Sequence, residues 1–125
     1  MSAAPLRVIH VDTERGWRGG ERQAFWLGER LARRGHRSLM AVRPGEPLAA
    51  RVTEARLPTL LLKPHSEIAF LSAMRLRRAI VRERADIVHA HTAHAVSLCA
   101  MATMGTNARM VLTRRVSFPL RRNPA

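Results

Sequence analysis

The feature that most narrows the folds open to this chain is a regular alternation of short, branched apolar runs with stretches of helical period. Leu6 to Asp12 (LRVIHVD) reads as a strand that empties into a polar, glycine-rich loop from Thr13 to Gly20. From Glu21, ERQAFWLGERLARRG spaces Ala24, Leu27, Gly28 and Leu31 along one helix face, with arginines in the last turn and Gly35 where a C-cap belongs. Ser38 to Val42 predicts a second strand, Pro47 to Ala55 a short second helix, and Thr59 to Leu62 a brief third strand. Ile68 to Arg84 carries the longest helical pattern: Ala69, Ala73, Leu76 and Ile80 share one face, Arg75, Arg78 and Arg82 another. Asp86 to His91 (DIVHAH) predicts a fourth strand, Ala93 to Met104 a fourth helix stopped by Gly105, and Arg109 to Thr113 a fifth strand. RRVSFPLRRNPA after it reads as an exposed tail.

Successive parallel strands need crossover connections, and those are right-handed helices. The alternation therefore predicts one α/β domain over residues 1–125, a Rossmann-like parallel sheet of about five strands with helices on both faces; the expected order is 3-2-1-4-5, as in doubly wound folds, which makes the first and fourth strands neighbours. A length of 125 residues with 46% hydrophobic and 25% charged content suits one domain with its own core and argues against disorder. In such a sheet ligands bind outside the carboxyl ends of the strands, so loops 13–20, 91–94 and 113–118 are expected to face one crevice.

Charge narrows the partners. The 22 basic residues against 9 acidic give a formal net charge of +13, and Lys63 is the single lysine. Arginine favours planar phosphate and carboxylate partners, which points to nucleic acid, an anionic lipid surface or a phosphorylated small molecule, or else to plain surface solvation. Aromatic residues make up only 4% and no nucleic-acid motif is present, which leaves the nucleic-acid reading with non-specific charge alone. Cys99 is the only cysteine, so an internal disulfide and with it a stapled secreted scaffold are excluded, and a reducing compartment is the default. With no secretory leader visible and no run of about 18 apolar residues, the expectation is a cytoplasmic protein, at most peripheral to a membrane.

Three groups can carry chemistry. Gly16, Gly19 and Gly20 in GWRGGE join the first strand to the first helix, where glycines allow close backbone approach and a helix N-terminus favours an anion. The spacing fits neither G-x-G-x-x-G nor a P-loop, and a merely tight turn is the other reading. His89, His91 and His94 form H-x-H-x-x-H; the first two point to one face of the fourth strand and His94 enters the following segment, with His10 near the equivalent edge of the first strand. A catalytic or substrate-binding histidine, a structural one, and a zinc-dependent hydrolase using His89, His91 and His94 are all compatible with it. The zinc motif of the metallo-beta-lactamase-like hydrolases wants aspartate where Ala93 stands, and it follows antiparallel strands. Arg114 and Arg115 leave the fifth strand toward the crevice and can meet an anionic ligand. Trp17, Phe25 and Trp26 read as packing residues, although Trp17 in the glycine loop can gate a site.

Four segments together resemble the N-terminal domain of the GT-B glycosyltransferases of family 4: VIHVDTERGWRGGERQAFWLGERLARRGH at 8–36, RPGEPLAARVTEARLP at 43–58, RADIVHAHTAHA at 84–95 and VLTRRVSFPLRRNP at 111–124. The resemblance implies half of a two-domain, retaining transferase that uses a nucleotide-diphosphate sugar as donor and no cofactor or resident metal. The N-terminal half chiefly holds the acceptor. Carried over by position, Gly16, Gly19 and Gly20 approach the donor diphosphate, His91 lies beside the reacting sugar, and His94, Arg114 and Arg115 line the substrate site. A lipid-linked, lipopolysaccharide or other saccharide acceptor of the cell envelope is implied, with Arg75, Arg78 and Arg82 toward an anionic membrane. Family members complete the site with a C-terminal domain, so these residues are expected to need one, in cis or in trans, for turnover.

Overall fold

The computed structural model describes residues 4–63 and 69–113. Five strands and four helices alternate without exception: β1 (Arg7–Asp12), α1 (Gly19–Arg33), β2 (Arg37–Val42), α2 (Pro47–Glu54), β3 (Thr59–Leu61), α3 (Ala69–Glu83), β4 (Ile87–Ala90), α4 (Ala93–Thr103) and β5 (Arg109–Leu112). The strands form one sheet in the order β3-β2-β1-β4-β5, and every pairing is parallel. The predicted architecture and strand order are therefore those observed. Arg114, Arg115 and the tail lie outside the described residues, as does Ile68.

Alternation along the strands builds two cores, one on each face. Ile9, Val11, Leu39, Ala41, Val88 and Ala90 meet Leu76 and Ile80 of α3 and Leu98 and Cys99 of α4. On the other face, Met40 and Val42 meet Ala24 of α1 with Leu48 and Val52 of α2. Because side chains alternate with period two, the same rule puts His10, Asp12 and His89 on the α1 side of the sheet. That face bears polar groups at its centre.

α1 begins at Gly19, two residues earlier than its apolar spacing suggested, because Glu21 caps it: Arg18 donates its backbone N–H to Glu21 Oε1 at 3.0 Å. Ala24 and Gly28 are buried, as is Glu21, whereas Leu27 is 36% exposed. Gly28 sets the depth of the helix on the sheet: a Cβ there would lie 2.6 Å from Met40 Sδ, 3.3 Å from Ser38 Oγ and 3.5 Å from His10 Cδ2. Trp26 does not pack as expected; it projects from the back of α1 at 56% exposure, since it lies about 200° around the helix from buried Ala24. Trp17 and Phe25 do pack, ring edge to face at 6.0 Å beside the second core, and the Arg51 guanidinium sits 4.8 Å over the Trp17 ring.

α3 buries Ala73, Leu76 and Ile80 as its spacing predicts, and it exposes Arg75, Arg78 and Arg82. The same outer surface also exposes Phe70, Leu71, Met74 and Val81. The basic stripe is thus interleaved with bare apolar side chains. Among the described residues, no helix is long and apolar enough to cross a membrane.

Candidate functional site

The β1–α1 loop at the carboxyl edge of the sheet is shaped by tethers from beyond β2. Gly16 donates its backbone N–H to Glu46 Oε1 at 2.8 Å, and Arg43 Nε donates to the Thr13 carbonyl oxygen at 3.0 Å. Gly16 has φ +90, a conformation side chains rarely adopt. Gly19 and Gly20 have no such requirement and form the first turn of α1; a Cβ at Gly19 would meet nothing within 4 Å. Of the three, only Gly16 would be strained by a side chain, and Gly19 faces open space. The amides of Gly19 and Gly20 have no intrahelical acceptor and lie at the positive end of the helix dipole. Glu46 and Arg43 anchor the loop from 30 residues away, a range no local sequence pattern reports.

The histidines converge, in a set the motif alone did not specify. His10 pairs in register with His89 across β1 and β4, and His10, His89 and His91 place one potential ligand atom each within 4.8 Å of the others. His94 stands apart in the first turn of α4, its Nδ1 2.8 Å from Glu14 Oε2, with an 81% exposed side chain. The zinc set His89, His91 and His94 is thus not the one assembled. The trio that is assembled has His89 and His91 stacked at 3.8 Å and 25°, with His89 Nε2 2.5 Å from Thr113 Oγ1. Ring lone pairs lie in the ring planes, so stacked rings aim them side by side rather than at a common point. The trio is held by a hydrogen bond between His10 and His91 and a ring stack between His89 and His91.

Burial along β4 is inverted, the histidine nearer the sheet edge being the deeper one. His91 is 2% exposed while His89 is half-buried, because His91 leans toward β1 and His10 whereas His89 leans toward the edge strand β5 and Thr113. His10 Nδ1 and His91 Nε2 are 3.0 Å apart. His10 is fully buried, and that burial, with His89 as a second cause, pushes its pKa down to about 3. His91→Ala is therefore expected to cost stability, about 1–3 kcal/mol for the polar partner left behind.

A cleft of about 340 Å³ opens on the α3–α4 side of this sheet edge, lined by Thr13, Glu14, Arg43, His94 and Ser97 with apolar residues of α3 and α4, and of His10, His89, His91 and His94 only His94 reaches it. Backbone amides for an anion thus lie at the same sheet edge as imidazoles able to exchange hydrogen bonds with a polar ligand. Together, fold and edge define a Rossmann-like α/β domain with its ligand crevice at the carboxyl ends of the strands.

The chain belongs to Glycosyltransferase Family 4, whose sequence profile matches residues 17–124. No curated protein matches the sequence significantly. Among solved structures, it is similar to a glycosyltransferase from Rickettsia africae, with TM-score 0.78 and 19% identity over 94% of this chain and 32% of that one. It is similar to MurG of Acinetobacter baumannii, with TM-score 0.72 and 11% identity over 88% of this chain and 35% of that one. It is also similar to HepE of Anabaena in complex with UDP and glucose, with TM-score 0.63 and 13% identity over 84% of this chain and 28% of that one. The chain spans about a third of the length of these structures.

Proposed function

We propose that the chain forms the N-terminal, acceptor-side part of a retaining glycosyltransferase that moves a sugar from a nucleotide-diphosphate donor to a lipid-linked or saccharide acceptor of the cell envelope. The observation that carries this reading is the placement, at the carboxyl edge of the sheet of a family 4 domain, of both the Gly19–Gly20 amides, which have no intrahelical acceptor, and the His10–His91 pair. UDP and glucose in the HepE structure support a nucleotide-sugar donor. In this reading Gly16 shapes the loop, Gly19 and Gly20 donate to the donor diphosphate, and His91 hydrogen-bonds the reacting sugar. His94, in the cleft, and Arg114 and Arg115, after β5, contact substrate. A C-terminal domain supplies the rest of the donor site.

The outer face of α3 supports a peripheral membrane location. Exposed Phe70, Leu71, Met74 and Val81 can enter the headgroup boundary while Arg75, Arg78 and Arg82 meet anionic lipid. The test is sugar transfer by this chain with and without a family 4 C-terminal domain. Turnover is expected only with it, and His91→Ala is expected to lower it. Efficient transfer by these 125 residues alone, or transfer untouched by His91→Ala, overturns the reading.

A further inference from the structure

We propose that His10 is a positioning residue that fixes His91 in a single neutral tautomer, by donating its Nδ1–H to His91 Nε2 and so leaving the His91 proton on Nδ1. The inference rests on the proposed role of His91 in the site, but its geometry stands independently. His10 lies on the central strand with no exposed surface. α1 closes over it, Gly28 coming near enough that a Cβ would touch His10 Cδ2 at 3.5 Å. A ring so enclosed stays neutral through the physiological range, in keeping with a pKa near 3. It therefore has one N–H and one bare nitrogen.

Only two arrangements satisfy the 3.0 Å contact between His10 Nδ1 and His91 Nε2. If His91 donates, the His10 proton sits on Nε2, a buried atom with no hydrogen-bond partner. If His10 donates, the atom without a partner is a bare nitrogen. A buried donor without an acceptor is the rarer and costlier of the two orphans, so His10 donates. The backbone on this side is fixed as well: His91 donates its backbone N–H to the Val11 carbonyl oxygen at 3.0 Å, one residue beyond His10. Among the described residues, the other titratable groups on this face are His89, stacked on His91, Asp12, whose Oδ1 accepts from the Glu14 amide, and Glu21, which accepts from the Arg18 amide. None of them requires a proton on His91 Nε2.

The consequence is directional. Free histidine favours the Nε2–H tautomer, whereas the pair imposes Nδ1–H, so that His91 offers its site a donor from Nδ1 and keeps its basic lone pair engaged inside the protein. Long-range proton–nitrogen correlation spectra of the ¹⁵N-labelled chain at neutral pH read this directly. Both His10 and His91 are expected as Nδ1–H tautomers. In His10→Leu, His91 should revert toward Nε2–H, and His10→Asn, which returns a donor at the place of Nδ1, should restore Nδ1–H. His91 found as Nε2–H in the unaltered chain overturns the proposal whether or not His10→Leu folds, and so does a His91 tautomer unchanged in a folded His10→Leu. Nδ1–H at His91 in a protein whose sugar transfer ignores His91→Ala would instead refute the transferase role and leave the pair as described.

Discussion

Gly28→Ala puts a single methyl group against the tightest helix–sheet contact in the domain. Two terms oppose each other. Alanine is better than glycine inside a helix by about 1 kcal/mol, and elsewhere on α1 that gain would dominate. At position 28 the new Cβ falls 2.6 Å from Met40 Sδ and 3.3 Å from Ser38 Oγ. Met40 is fully buried, so its sulfur has no solvent to retreat into. Overpacking of this kind costs about 1–3 kcal/mol. The steric term wins, for a net loss of about 1 kcal/mol and a fall in Tm of about 4 °C for a domain of this size. Met40→Ala costs about 2–5 kcal/mol alone by opening a cavity. In that background the same Gly28→Ala should raise stability, because the methyl group then enters empty space and the helix gain survives. Thermal and urea unfolding followed by circular dichroism on the four proteins of the cycle measures this reversal of sign. A Gly28→Ala protein more stable than the parent, or two substitutions whose effects simply add, would refute the close approach of α1 to the sheet.

Three further outcomes are expected. Arg75, Arg78 and Arg82 all changed to glutamine should weaken sedimentation with anionic vesicles, by about 1 kcal/mol per arginine that meets the surface, and equal binding would place the stripe in plain solvent. Below about pH 6.5 the unfolded chain protonates His10 while the folded state, with a pKa near 3, does not; no penalty exists above that window, and within it stability falls by up to about 1.4 kcal/mol per pH unit. His10→Leu should flatten that component of the pH dependence, seen as the difference between the two stability profiles. Cys99, its thiol pushed up to about 12 by burial, should resist aromatic disulfide reagents in the native state and react only on unfolding; rapid native labelling would contradict its place in the core.

Legibility in the sequence followed the range of the interaction. β1, β2 and α3 announce themselves through local period, and their ends fall within a residue or two of the runs that predicted them. Chirality and crossover rules give a parallel sheet but not its order; 3-2-1-4-5 is one of the common doubly wound orders and is the one observed. Trp26 was misread because a large aromatic invites a core assignment, although its angle around α1 places it opposite Ala24. The candidate site was legible by element but not by contact. DIVHAH marks the right strand end, yet the choice of His10 rather than His94 as partner depends on β1 and β4 being neighbours in register. The inverted burial of His89 and His91 depends on what flanks β4 on each side. Glu46 and Arg43 have no local pattern that ties them to a loop 30 residues earlier.

Those two tethers make the glycine loop mechanically continuous with the turn that opens α2. Its resting shape is stored in side chains belonging to another part of the fold, so ordering by an anionic ligand cannot stay confined to residues 13–20. Stiffening should travel through Glu46 into the first turn of α2 and through Arg43 into the end of β2. Slowed amide hydrogen exchange would then appear at positions that never touch the ligand. Conversely, drift in the Pro44–Pro47 turn loosens the Glu46 tether on Gly16, so variation there would alter the loop's resting shape without changing any residue of the loop itself.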